Sequence, residues 1–289
     1  MKWNLSPPQR DCEELLDLGR GSVDEVRRSL HDIRRINTYL GGAQVVCNAT
    51  WRLLGDYEKA TSEAIRVLDI GTGCADIPRR LQAQAHRRGV QMQIVALDLS
   101  ARHLRIASED LETESRHMST HARNFNENRV QSNNAGASRF SSAIQLLQAD
   151  AFRLPFADGA FDIVVSSLFL HHFRGRQITA LLREFDRVST CGWAMNDLVR
   201  HYVPLVFFRL TRPIFARSYV TRHDGEASLR RGYTVQEMRA IIAQAAQTDA
   251  LFRDVRVAQH FPFRMSLARD KRHDATRDFN TRTCLFNSI

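Results

Sequence analysis

Apolar residues along this chain recur in two rhythms. Between residues 22 and 40, Val23, Val26, Leu30, Ile33, Ile36 and Leu40 return every three or four positions, the stripe of one helical face. Ser22 and Glu25 stand three apart at its start as a capping box, and Gly41-Gly42 supplies a stop. From residue 64 short apolar runs alternate with helical periodicity. "AIRVLDI", "QMQIVALD", "AIQLLQAD", "FDIVVSSLFL" and "GWAMNDL" are strand-like, whereas "IPRRLQAQAHRRG", "ARHLRIASEDL" and "ITALLREFDRV" are helical. The last of these sets Ile178, Leu181, Leu182, Phe185 and Val188 on one face. A second capping box, Thr234 with Glu237, opens the helix "VQEMRAIIAQAA", and "DVRVAQHFPFRMSLA" reads as a terminal hairpin broken around Pro262.

Strands that alternate with helices pair in parallel. The expected fold is therefore α/β, a doubly wound, mostly parallel, Rossmann-like sheet with a C-terminal antiparallel hairpin. Residues 1–59 form an N-terminal helical cover and 60–268 the main domain, with a polar tail over 269–289. Two stretches break the alternation. Residues 112–141 are polar and rich in Ser and Asn, which predicts a mobile surface insertion. Residues 201–225, "HYVPLVFFRLTRPIFARSYVTRHDG", are apolar with interspersed arginines and suit either a substrate lid or a packed helical hairpin.

Ligands of open α/β sheets bind beyond the carboxyl ends of the strands. Those ends carry Asp69, Asp98, Asp150, Ser166-Ser167 and Asn196-Asp197 in succession. Any one Asp is a common strand terminator; five polar ends on one edge indicate a site. The loop after the first strand, Gly71-Thr72-Gly73, does not fit a dinucleotide. Asp76 stands where the third glycine of that fingerprint belongs, and no G-K-[ST] follows for a phosphate loop. Asp69 before the glycines suits a ligand with a cationic or hydroxyl-rich end.

Composition narrows the setting. The 289 residues include 41 Lys and Arg against 32 Asp and Glu, for a net charge of +9. The excess is scattered arginine, which favours a solvated basic surface over a specific nucleic-acid site. The five cysteines, Cys12, Cys47, Cys74, Cys191 and Cys284, have no C-x-x-C or Cys/His ligand spacing, so free thiols and no metal site are expected. The N-terminus lacks a signal-peptide core, and no apolar run approaches the roughly 20 residues of a membrane span. A cytoplasmic location follows as the expectation.

With these residues in place, the chain resembles the class I S-adenosylmethionine-dependent methyltransferases over roughly residues 60 to 268. "VLDIGTGCADIP" looks like their first motif, "VALDLS" like the second, and "QADAFRLPFADGAFDIVVSSLFLHHF" like the adenine-binding and post-strand segments. "SLHDIRRINTYLGG", "NDLVR" and "HDGEASLRRGYTVQEM" further resemble small-molecule methyltransferases found beside bacterial type III polyketide synthases. The resemblance implies S-adenosyl-L-methionine as cofactor, held by Asp69, Gly71, Thr72, Gly73, Asp98, Leu99, Asp150, Ala151 and Ser167. Asp69 would lie near its ammonium group, directly or through water. Asp98 would accept from the ribose hydroxyls and Asp150 from the adenine amine, with the Ala151 backbone helping to hold the ring. Ala75 departs from the family's usual glycine; as a residue that tolerates a helical start, it is expected to cost little.

Transfer to a hydroxyl needs alignment, exclusion of water and a base for the proton. His171 and His172 in "LFLHHF" follow the fourth strand, so one of them is a candidate base, and Asp197 a candidate partner. The alternative is a hydrogen-bonded pair that only shapes the loop. Asn196 and Arg200 are candidate substrate contacts. "SSLF" stands where nucleobase N-methyltransferases carry [DN]-P-P-[YF], and no cysteine pair suits RNA cytosine-5 chemistry. The expected acceptor is a small hydrophobic molecule, phenolic or polyketide-type, methylated at oxygen. The competing readings are carbon methylation of a quinone-like ring, a catalytically silent cofactor-binding subunit, and RNA methylation.

Overall fold

The structure, a computed structural model, describes residues 6–55, 63–126 and 144–272. The first apolar stripe is helix α1, Val23–Tyr39, closed at its start by the Ser22–Glu25 capping box. Gly41 adopts a left-handed φ of 76°, and the chain turns directly into a second helix, α2, Gly42–Leu54. The glycine pair thus separates two helices. Then follow β1 (Ile65–Ile70), α3 (Asp76–Arg88), β2 (Met92–Asp98), α4 (Ala101–Asn126), β3 (Ile144–Gln148) and β4 (Phe161–Ser167). A single turn at Leu170–His172 leads to α5 (Arg176–Val188), β5 (Ser189–Leu198), α6 (Tyr202–Phe215) and α7 (Tyr219–Arg231). The chain ends in α8 (Val235–Ala245), β6 (Arg256–His260) and β7 (Arg264–Asp270).

The strands form one sheet in the order β3-β2-β1-β4-β5-β7-β6. The first five are mutually parallel, and β7 runs antiparallel between β5 and β6, which is the expected terminal hairpin. Strand order reverses between β1 and β4, so the crevice beyond Ile70 and Ser167 is the switch point where such sheets bind ligands. On one face, the predicted α5 stripe is fully buried against Val164, Trp193 and Met195. On the other, α2 and α3 pack Val46, Leu54, Ile77 and Leu81 over Val67, Ile163 and Ala194. Burial on both faces is why these strands read as continuous apolar runs.

One expectation is corrected here. The predicted insertion begins inside a helix, because α4 continues to Asn126; the rest of that stretch, 127–141, lies outside the described residues. Residues 201–225 are two helices, α6 and the start of α7, with caps at His201 and Ser218, which agrees with the helical-hairpin reading and leaves the lid reading open. Most of the polar tail, with Cys284, lies outside the described residues. No helix among the described residues is long and apolar enough to cross a membrane.

Candidate active site

A cavity of about 870 Å³ opens at the switch point. Its floor is the loop after β1. Gly71 has φ +71°, and a Cβ built there would lie 2.7 Å from Phe169 Cδ2. Glycine is therefore required for both conformation and space. Gly73, Thr72, Asp98, Leu99, Asp150, Ala151 and Ser167 also line the cavity, as the sequence predicts. Asp98 is already engaged, with Oδ2 accepting from Gly73 N at 2.9 Å and Oδ1 from Ser100 N at 2.9 Å. A carboxylate has about four acceptor positions, so ribose hydroxyls still have room. Asp150 Oδ1 accepts from Phe152 N at 2.9 Å. Leu99 is 70% exposed, an apolar surface on the rim.

Asp69 is placed differently from the expectation. It is buried behind the loop and does not line the cavity, while Asp76 on the first turn of α3 does. Burial pushes the Asp69 carboxyl well above the usual range, and the charges of Asp76 and Asp98 push it further, against the opposing effect of Thr72. Burial raises Asp76 as well, although Asn37 Nδ2 donates to it at 3.1 Å. Ala75 also differs. Its φ of 58° and ψ of 37° are left-handed rather than helical, which costs an alanine about 1–2 kcal/mol. Leu168, just past β4, has φ +57°, so strain is stored on both sides of the crevice.

The two histidines have separate environments. His171 is 2% exposed, its backbone N–H donates to Asp197 Oδ2 at 2.9 Å, and its Nδ1 lies 2.7 Å from Asp197 Oδ1. Its Nε2 is 3.5 Å from Glu14 Oε1. Burial alone would discharge the ring, but Asp197 and then Glu14 outweigh it and raise His171 to about 10. Burial likewise opposes ionisation of Asp197, and His171 overcomes that to hold its carboxyl below the usual range. His171 is thus an imidazolium at neutral pH, unable to accept a proton. Asp197 touches His171 and not the cavity.

His172 faces the cavity with its side chain 20% exposed, and Nδ1 lies 2.9 Å from Asp17 Oδ2. Burial would raise Asp17, yet the hydrogen bond and charge of His172 hold it below the ordinary range. An ionised Asp17 can only accept, so Nδ1 carries the proton and Nε2 is the basic nitrogen. Glu14, His171 and His172 bring ligand atoms within 4.8 Å of one another, a cluster that sequence spacing did not reveal.

Two predicted substrate contacts are corrected. Arg200 is 4% exposed and spends its guanidinium on Gly232 O at 3.0 Å, Pro7 O and Glu237, so it ties α7, α8 and the N-terminal segment together. Asn196 is buried beneath the cavity wall, donating to Ser167 Oγ at 3.0 Å. Conversely, Glu14, Asp17, Asn37, Asp76, Arg231 and Arg264 line the cavity without having been predicted. The "EELLD" stretch at 13–17 carries the acids, but nothing local shows that it folds across the sheet edge.

The expected cofactor is tested by the polar atoms left over. Asp69 Oδ2 and Thr72 Oγ1 are buried with no hydrogen-bond partner among the described residues, beside the further carboxylates of Asp76 and Asp98. A ligand with an ammonium and a sulfonium centre supplies what this wall lacks, and Asp98 and Asp150 stand in order toward the adenine end. The residues fit the group.

Residues 68–192 match the family model described as a methyltransferase domain. No curated protein matches the chain significantly. Among solved structures, an S-adenosylmethionine-dependent methyltransferase from Aquifex aeolicus is 12% identical, with a TM-score of 0.48, over 86% of this chain and 98% of that one. The plantazolicin methyltransferase BamL is 13% identical over 82% and 77% of the two chains, with a TM-score of 0.49. Magnesium protoporphyrin IX methyltransferase from Synechocystis, solved with S-adenosylhomocysteine, is 11% identical over 77% and 82%, with a TM-score of 0.43. The matched domain spans the glycine loop, Asp98, Asp150 and both histidines, and residues 68–192 of the chain form a methyltransferase domain.

Proposed function

We propose that the enzyme methylates a hydroxyl oxygen of a small hydrophobic acceptor, phenolic or polyketide-type. The observation that carries this reading is the Asp17–His172 pair at the cavity wall, with Nε2 of His172 left basic. When bound, the cofactor supplies an electrophilic methyl group on a sulfonium. His172 takes the acceptor's proton as the oxygen attacks, and Asp17 stabilises the imidazolium that results. His171 cannot share this task because it is already protonated; Asp197 and Glu14 fix it as a wall against which the His172 ring stacks, with centroids 4.2 Å apart. Phe207, Phe208 and Phe215 of α6, with Leu16, Leu229 and Phe263, form an apolar surround that excludes water. Arg34 and Arg231 are its cationic points, suited to a phenolate or acidic substituent.

The test uses S-adenosylmethionine with a labelled methyl group and matched phenolic and quinone acceptors, with the product read by NMR. An O-methyl signal for the wild type, reduced about 100-fold in His172→Gln with unchanged S-adenosylhomocysteine affinity, is the expected result. A C-methyl product would move the reaction to ring carbon. Cofactor binding without turnover on any acceptor would favour a silent cofactor-binding subunit.

A further inference from the structure

Arg264, at the start of β7, is a fully buried arginine that makes no direct ion pair among the described residues, although the charge of Asp197 partly offsets its burial. Its Nε is 3.4 Å from Leu40 O, while Nη1 and Nη2 have no hydrogen-bond partner among the described residues. Leaving two donors of a buried guanidinium unpaired costs free energy that folding alone does not return. Arg264 lines the cavity, as does Asn37. The backbone opens beside it: a Cβ built on Gly42 would lie 2.1 Å from Asn37 Oδ1, 2.9 Å from Asn196 Nδ2 and 3.0 Å from Arg264 Cζ. Glycine at the start of α2 is what lets these three polar groups converge.

This convergence continues into the cofactor loop. Asn37 Nδ2 donates to Asp76 Oδ2 at 3.1 Å and to Ser167 Oγ at 3.2 Å, and Asn196 Nδ2 reaches the same Ser167 Oγ at 3.0 Å. One hydrogen-bonded patch therefore carries an anionic side, Asp76 with Asp69 behind it, and a cationic side, Arg264. A carboxylate and a guanidinium with unpartnered Nη groups, both lining one cavity, match an α-amino-acid zwitterion. We propose that Arg264 is a carboxylate subsite for the methionyl end of S-adenosylmethionine, with the opposing ammonium taken by the Asp76 side. This rests on the cofactor reading above and assigns a role to a residue outside the matched domain. Arginine suits the task because its planar fork pairs both carboxylate oxygens. Asn37 and Asn196 are positioning groups beside it.

The experiment compares S-adenosylmethionine with decarboxylated S-adenosylmethionine, which lacks only the carboxylate, by calorimetry on the full chain. Wild type should bind the decarboxylated form about 10- to 100-fold more weakly. In Arg264→Met that preference should collapse toward one, and Arg264→Lys, which keeps charge and bulk, should retain part of it. Equal wild-type affinity for the two compounds would overturn the proposal without any variant. A preference that survives in both folded variants would also overturn it, and if the Michaelis constant for the acceptor then rose, Arg264 would serve an acidic acceptor instead. Binding of neither compound to wild type would sink the cofactor reading rather than this subsite.

Discussion

Replacing Asp197 with Asn keeps the shape of the side chain that grips His171 and removes its charge. His171 titrates near 6.5 in an unfolded chain and near 10 in the folded one. At about 1.4 kcal/mol per pH unit, holding that proton contributes about 4 kcal/mol to stability at pH 7. Because the folded state binds the proton more tightly, the contribution is complete below pH ~6.5 and is lost as pH rises through about 10. Asp197 is the largest source of that tightening, ahead of Glu14. Asp197→Asn should therefore lose about 3 kcal/mol at pH 7, in line with breaking a buried ion pair. The gap from wild type should narrow between pH 7 and 10, as wild type surrenders its own advantage. Urea unfolding of both proteins across that range is the assay. Groups remote from Asp197 are common to both proteins and cancel in the difference. A gap that stays constant from pH 6 to 10, or an NMR titration placing the His171 ring near 6.5, would refute the imidazolium assignment and restore His171 as a candidate base.

Gly71→Ala should lose about 1–3 kcal/mol and the thermal shift given by S-adenosylhomocysteine, since its Cβ meets Phe169 at a positive φ; a wild-type shift would show that the loop is not held as described. Ala75→Gly should gain about 0.5–1 kcal/mol, the relief of a left-handed alanine less the greater entropy of an unfolded glycine. A lower melting temperature would contradict that backbone. Asp69→Asn should stabilise the free protein while weakening S-adenosylmethionine, because burial raises the folded pKa of Asp69 above its unfolded value. Wild type then loses stability relative to the variant as pH rises above ~4, and parallel melts from pH 4 to 8 would count against it.

The sheet was legible because its central strands β1, β4 and β5 are buried on both faces and helices such as α5 on one, so period and run length carry the assignment. The α5 stripe and both capping boxes are local patterns, and local physics honours them. The boundary of α4 was not legible, since the Ser, Asn and His residues toward its end carry no apolar period to mark where it stops. Within the site, residues adjacent to strand ends were found and those arriving from elsewhere were missed. Arg200 misled because a charged residue near a strand end looks the same in sequence whether it faces ligand or two backbone carbonyls and a carboxylate. Ala75 misled because a residue that starts a helix need not itself be helical. Arg264 opens a strand, RMSLARD, whose pattern does not set it apart, and a buried arginine has meaning only once its neighbours are known to leave its Nη groups unpaired.

The proposed base is assembled from parts that no single motif contains. Asp17 and Glu14 lie on an N-terminal segment that is neither strand nor helix, so its position comes from hydrogen bonds to other elements. Leu15 N and Leu16 N donate to Asp224 at 2.8 and 3.0 Å, Arg10 N to Arg230 O at 3.2 Å, and Gln9 Nε2 to Arg231 O at 2.8 Å. Ser228 Oγ donates to Glu14 at 2.9 Å, and Arg231 reaches Asp17 at 3.2 Å. Every one of these partners belongs to α7, which follows the cavity-lining helix α6. A displacement of α7 from the sheet edge would carry Asp17 away from His172 and Glu14 from His171 together. The proposed proton acceptance is thereby tied to α7, whose Leu229 joins the α6 phenylalanines in lining the cavity. The charge that polarises His172 is in place only while that wall stands.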